Sequence, residues 1–479
     1  MTPLHSSNGS SPEMSLTRLA ARRLQSIVSG QLSPEVREKV VVCLVDYHGA
    51  VQTGLSSPWS AILIKYASTR PGPAEAHAWG TKSKVSAEAA AFVNAALAHS
   101  RQTSPYQANK ISAIRDDMHL ESCSHIGSIV ISAATALAQR DHWSGEQLVR
   151  SVVAGYEMAA LLGTAIRASG NFNPHFRPSG LVGAFGAASA AIAGYGCSED
   201  VAVSALGFAL NAACGLNEWA WAGGLEIFAE MGTASRSGVQ SYDLADAGLH
   251  CSDTVLEGRD GMFQALGVGS SGAETFRDWI ARSGIGKGIM DVRFKPVAGC
   301  NFAQTPLAAA LKLRLDRPLD TQKIIVTATS QAVKYPGCDN AGPLENIQQS
   351  KMSIQYGVCA ALIFGRLDEE VFSKVDNHQI AGMMGKCEVK ASSQFDQEFQ
   401  KGLQPAQVEV LLADGTRLCQ NLDDVPWLNP EEVNSRVRVE MARFLTEDKV
   451  VSLLTALDQL KVPGQVQDVS KIFAEIDAH

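Results

Sequence analysis

Ten cysteines are scattered along the 479 residues, at 43, 123, 197, 214, 251, 300, 338, 359, 387 and 419, with no CxxC pair among them. That absence removes the spacing used by zinc and iron–sulfur sites. So long a chain with so apolar a composition does not need a disulfide framework. Free, mostly buried thiols in a reducing compartment fit better. An excess of positive charge is also missing: 41 Lys and Arg stand against 49 Asp and Glu, a net charge of −8. No nucleic-acid or anionic-membrane partner is expected from such a balance, although a pocket can still carry local cations. There is no long run of Leu and Ile. The longest uncharged stretch, residues 179–197, is mostly Ala and Gly, whereas a membrane span needs about 20 strongly apolar residues. It reads as a buried helix packed through small side chains. No GxGxxG, Walker A, GxSxG or HExxH stands in a usable context, which argues against nucleotide, serine-hydrolase and zinc-protease chemistry.

The amino-terminal segment lacks the apolar core of a signal peptide. Residues 1–15 read as a flexible polar tail, and the Asn8-Gly9-Ser10 sequon in it has no such core before it. The next stretch, LTRLAARRLQSIVSG, is Arg-rich and amphipathic. Its periodicity fits a first domain helix ending at Gly30; the alternative is a mitochondrial presequence. A soluble cytoplasmic protein is expected, with the mitochondrion as the second location.

What is present is ample core material, 46% hydrophobic against 19% charged residues. At roughly 100–200 residues each, two or three domains are expected. Helical spacing dominates residues 16–285, with helices expected at 35–54, 87–99, 126–140, 145–168, 181–194 and 199–213. After Gly284 the pattern changes. Residues 323–331, 387–393 and 406–421 read as strands, the last folded at an Asp414-Gly415 hairpin turn, with one helix at 352–364. Helical character returns near Pro430. The expected fold class is mainly α with an inserted α+β domain. Residues 16–288 and 426–479 form one helical domain from both ends of the chain, and 289–425 form a smaller lid.

The densest polar cluster is Arg115-Asp116-Asp117-Met118-His119-Leu120-Glu121-Ser122-Cys123-Ser124-His125, just ahead of an apolar helix. Acids, imidazoles and a helix amino terminus suit proton transfer and oxyanion binding. The plainer alternative is a solvated loop with a helix cap. Asp, His and Glu are also metal-ligand types, but no established ligand spacing is present and no metal is expected. A second cluster, Pro174-His175-Phe176-Arg177-Pro178-Ser179, leads into the Ala/Gly helix, and Arg177 suits a bidentate carboxylate grip. A third is Arg293-Phe294-Lys295-Pro296 at the domain junction, followed by Cys300, which is read as structural. The fourth, Met231-Gly232-Thr233-Ala234-Ser235-Arg236-Ser237-Gly238, offers Arg236 as an anion ligand or a helix-surface charge.

In order and spacing these segments resemble the MmgE/PrpD family, which includes 2-methylcitrate dehydratases, cis-aconitate decarboxylases and iminodisuccinate epimerases. The matching pieces also include Ala78-Trp79-Gly80, residues 90–99, GLVGAFGAASAA from Gly180, Leu256-Glu257-Gly258 and SIQYGVCAALIFG from Ser353. The resemblance runs from about residue 16 to 475. It implies a helical domain with a lid, a cleft between them, a homodimer, no cofactor and a small polycarboxylate substrate. It implies catalytic roles for His125, Asp116, Asp117, Lys295 and Tyr335. His119, His175, Arg177 and Arg236 are the expected substrate ligands. The chain departs from the family pattern at Ile114, where an acid is usual, at Arg177, where a histidine is usual, and at about Ile227, where a lysine is usual. Some 13 extra residues, 101–113, also precede the Asp-rich loop. The reading is a lyase of citrate-like or alkylcitrate-like acids, dehydrating in preference to decarboxylating. The alternatives are an epimerase of a related carboxylate, or a repurposed member with changed or lost activity.

Overall fold

A computed structural model describes residues 14–100, 117–119, 121–170, 173–297, 299–313, 320–470 and 472. The helices begin with α1 (Leu16–Ser29), α2 (Pro34–Gly54), α3 (Ser60–Ser68) and α4 (Ala87–His99). A three-residue strand, β1 (Asp117–His119), precedes α5 (Gly127–Arg140), α6 (Gly145–Arg167), α7 (Pro178–Tyr195) and α8 (Glu199–Asn211). Then come α9 (Trp219–Ala222), α10 (Glu226–Asp246), α11 (Met262–Ala265), α12 (Ser270–Arg282), α13 (Lys287–Met290) and β2 (Val292–Phe294). The section after β2 holds α14 (Gln304–Leu313), β3 (Thr321–Ala328), α15 (Ser330–Lys334), α16 (Ile347–Met352), α17 (Ile354–Phe364), α18 (Glu369–Phe372) and α19 (His378–Met384). It closes with β4 (Cys387–Ala391), α20 (Ser393–Gln400), β5 (Ala406–Leu412) and β6 (Arg417–Leu422), and the chain returns to α21 (Pro430–Met441) and α22 (Glu447–Asp458).

Two hydrophobic cores divide this material. One gathers α1 to α8 and then takes Val433, Val437, Met441, Val450, Leu453 and Leu457 from α21 and α22. Both ends of the chain therefore share one core. Arg436 of α21 seals the join as a buried ion pair with Asp46 of α2, with Glu440 a further 3.5 Å partner. The second core holds Ile324, Val326, Val408 and Val410 from the sheet with Leu307, Ile354 and Val358 from the helices on it. Trp59, Trp219, Ile227 and Phe228 reach into this second core from the helical side. Its sheet runs β4-β3-β5-β6, with β3 parallel to β4 and antiparallel to β5. The β5–β6 hairpin turns at Asp414-Gly415, where Gly415 has φ 85°.

The Ala- and Gly-rich sequences of α7 and α10 are explained by how close the two helices lie. A Cβ built on Gly238 would stand 2.2 Å from the Ala187 Cβ. Only hydrogen fits there, and the close approach gives the dispersion contacts that these small side chains cannot make at ordinary helix spacing. One helix among the described residues, Gly145–Arg167, is long and apolar enough to cross a membrane; 89% of its apolar window is buried inside the protein.

The smallest sheet links the two halves of the molecule. β1 pairs antiparallel with β2, Asp117 opposite Phe294 and His119 opposite Val292. This pairing ties the polar loop before α5 to the segment that leads into the second core.

Candidate active site

Three chain features converge where the two cores meet. β2 ends at Phe294, so the next residue, Lys295, emerges beside the loop that β1 opens. That loop turns at 119–124. The His119 backbone exchanges hydrogen bonds with Ser124, and Cys123 takes a positive φ of 52°. His125 then leads into α5, and its backbone N–H donates to Ser179 Oγ at 2.9 Å. Ser179 lies in the first turn of α7, so two helix amino termini point to the same place. Their dipoles favour negative charge there.

A cavity of about 140 Å³ lies at this junction, well above the roughly 10–15 Å³ that one water needs by the same measure. Lys295, His125, Arg177, Tyr335, His99 and Cys300 are on its wall. Lys295 Nζ stands 3.3 Å from His125 Nε2. The ammonium can only donate, so in this contact Nε2 offers its lone pair. Arg177 is buried and donates to His99 Nε2 at 2.7 Å, which fixes His99 as neutral with its proton on Nδ1. The His99 and His125 rings lie side by side, tilted at 57° with centroids 5.6 Å apart. Tyr335 packs against Phe302, and burial pushes its phenol above the ordinary value, keeping it a proton donor. Trp219, Ile227 and Phe228 form an apolar side, and the Arg177 guanidinium lies 5.8 Å from the Trp219 ring.

Of the residues expected from sequence, the structure brings together His125, Lys295, Tyr335 and Arg177. It does not bring His119, His175 or Arg236 to the cavity wall. His119 is buried behind the loop, where Nδ1 pairs with Ser122 Oγ at 2.9 Å and burial lowers its imidazole to about 4. It stays neutral and holds the turn. His175 is exposed ahead of α7. Arg236 donates to the Tyr66 hydroxyl at 3.3 Å and lies 5.5 Å from the Phe92 ring. Its guanidinium is thus placed against rings of α3 and α4, away from the cavity wall. Asp116 lies outside the described residues, and of Asp117 only the backbone is described. Among the described residues no group of three or more His, Cys, Asp or Glu is arranged to hold a metal ion.

Sequence reasoning missed His99, Cys300 and Glu230. His99 had a signal, an imidazole closing an Ala-rich helix just before the polar loop. Cys300, read as structural, is on the cavity wall. Glu230 sits behind Arg177 at 3.5 Å, with both side chains almost wholly buried. Gly180 makes room for it, since a Cβ there would lie 2.4 Å from a Glu230 carboxylate oxygen. Burial raises the Glu230 carboxyl from 4.5 to about 7, and Arg177 pulls the other way. The folded chain thus holds this proton more tightly than the unfolded chain does. Stability contributed here is present at low pH and falls as pH rises between those two values. Glu230→Gln stays neutral throughout. It is expected to gain stability relative to the parent between pH 5 and pH 8, by up to about 3 kcal/mol. Urea denaturation at both pH values measures this, and an identical difference at the two would refute it.

Comparison with known proteins adds two findings. The family model for the MmgE/PrpD N-terminal domain matches residues 20–273, and that for the MmgE/PrpD C-terminal domain matches residues 298–450. No curated protein matches the chain.

Proposed function

The chain belongs to the MmgE/PrpD family, and from that premise we propose that it is a cofactor-independent lyase of a small di- or tricarboxylate, dehydration coming before decarboxylation. Family membership supports a dehydratase- or lyase-like enzyme acting on carboxylates. The finer reading rests on one observation, the 3.3 Å contact of Lys295 with His125 in a cavity that Arg177 and Tyr335 also line.

In the proposed reaction a substrate carboxylate takes the donors of Lys295 and Arg177, together with the positive ends of α5 and α7. His125 Nε2, released from Lys295, accepts the proton on the carbon next to that carboxylate. Charge moves onto the carboxylate as an enediolate, and the two cations stabilise it at low local dielectric. The neighbouring C–O bond then breaks, Tyr335 donates a proton to the leaving hydroxyl, and water departs. Asp116 and Asp117 are proposed to steer His125. Two of the three positions that depart from the family pattern, Arg177 and Ile227, meet in this cavity. Arg177 supplies a cation where a histidine is usual and reaches the backbone carbonyl of Ile227 at 3.5 Å, where a lysine is usual. A positive charge is thereby kept beside position 227, carried by a different residue.

The test is incubation with citrate, 2-methylcitrate, longer alkylcitrates and cis-aconitate, read by mass spectrometry. Loss of water from one member supports the proposal, and loss of CO2 moves it to decarboxylation. No change in any member sinks it. A second reading has its own observation, since two imidazoles, His99 and His125, stand together at the cavity, and one can remove a proton that the other returns. Such an epimerase would exchange deuterium from solvent into its substrate with no loss of water or CO2. The proposal extends to a homodimer. The sequence of α3, SAILIKYAS, buries only Ser60 and Ala67, and Ile62, Trp221 and Leu225 are exposed. A monomer in sedimentation velocity at micromolar concentration would overturn that extension.

A further inference from the structure

Two thiols meet at the cavity wall in an arrangement the proposed reaction does not use. Cys338 donates to Cys300 across 3.4 Å between sulfurs. Both residues are buried, but Cys300 lines the cavity and Cys338 stands behind it. The backbone holds the pair in place. Cys300 N–H donates to the Lys351 carbonyl at 2.9 Å, and Ile354 N–H donates to the Cys338 carbonyl at 2.9 Å. Both cysteines therefore hang from one junction, between α16 and α17. Closing the sulfurs to a bond of about 2.05 Å needs a movement of only about 1.4 Å.

The two thiols are also unequal. The hydrogen bond from Cys338 and the charge of Lys295 hold Cys300 below the ordinary thiol range, while burial holds Cys338 well above it. A nucleophilic sulfur faces the space a small molecule can enter, and a protonated one waits beside it.

We infer that Cys300 and Cys338 form a hydroperoxide-reactive dithiol, in which Cys300 takes the oxygen and Cys338 closes a disulfide. In the first step the Cys300 thiolate attacks hydrogen peroxide. An S–O bond forms, the O–O bond breaks, and the departing hydroxide takes a proton to leave as water. Sulfur has lost two electrons and stands as the sulfenic acid. In the second step the Cys338 sulfur attacks it. An S–S bond forms and the S–O bond breaks, with the hydroxide leaving as water with the Cys338 proton. The protein loses two hydrogens and one peroxide becomes two waters. Thiols reduce the product again, so the cavity wall has two interconvertible states.

The experiment uses the full chain and hydrogen peroxide, followed by denaturing alkylation and peptide mapping. Exposed Cys214 and Cys419 serve as internal controls. The expected result is a Cys300–Cys338 cross-linked peptide formed at least about tenfold faster than either control thiol is consumed, and reversed by dithiothreitol. Cys338→Ser should stop at a sulfenic acid on Cys300 that dimedone traps. Cys300→Ser should leave Cys338 unoxidised. If Cys214 and Cys419 are consumed while Cys300 and Cys338 stay fully alkylatable, the inference fails. A cross-link from Cys300 to Cys123, the other thiol on the cavity wall, overturns the part given to Cys338. Mapping of the unaltered chain decides both points even where a variant does not fold, and no turnover assay enters the result.

Discussion

His125→Ala is expected to lower turnover by about 10²–10⁴-fold, the usual contribution of a positioned general base, while leaving the thermal transition where it was. The structure gives the reason for both halves. Position 125 is tied into the fold by its backbone N–H, which donates to Ser179 Oγ, and alanine keeps that bond. The ring itself lies on the cavity wall beside Lys295 and His99. Removing it takes away the lone pair and little packing. The measurements are kcat on whichever acid the substrate panel identifies, and a melting curve by circular dichroism. Full turnover in a folded variant would remove His125 from the mechanism. A lost melting transition would instead assign the residue to structure.

Arg436→Ala is expected to cost about 3–5 kcal/mol of stability, since it leaves buried carboxylates without their cation. Asp46 and Glu440 both face Arg436, and all three side chains are almost wholly buried. Urea denaturation reads the loss directly. An apolar replacement of all three groups together should recover much of it, because the pair offsets only part of its own desolvation. An unchanged midpoint in the single variant would show that water reaches these charges.

Long helices are legible in the sequence because their signals are local. The spacing predicts a helix over residues 87–99, and α4 occupies them, capped by Ser86, whose side chain accepts from Ala89 N–H. For α7 the apolar periodicity points to a start at 181, three residues late. Proline is favoured at the first helical position, and Pro178 starts the helix. β1 and β2 escape a sequence reading because three residues carry no periodicity. Each finds its partner across about 170 residues of chain, and local propensity holds no record of that. The place of Arg236 away from the cavity has a reason the sequence does contain. Arg236 lies nine residues after Ile227 on α10, and at about 100° per residue that is the opposite face of the helix. With Ile227 on the cavity, Arg236 has to point away. The local signal at His99, an imidazole closing an Ala-rich helix, does not reveal its part, which is given by Arg177, distant in sequence and a donor to it in the fold.

The join between α2 and α21 bears on synthesis. Asp46 and Arg436 are 390 positions apart, and ribosomes add about 5–20 residues per second. For tens of seconds α2 exists without the helix that covers it. α2 is buried along most of its length in the finished protein; α4 to α6 cover part of it early, and the face that α21 covers waits in the open for that interval. The interval scales with the 390 positions between the two residues, so slower elongation lengthens the time for which that face of α2 is open to aggregation.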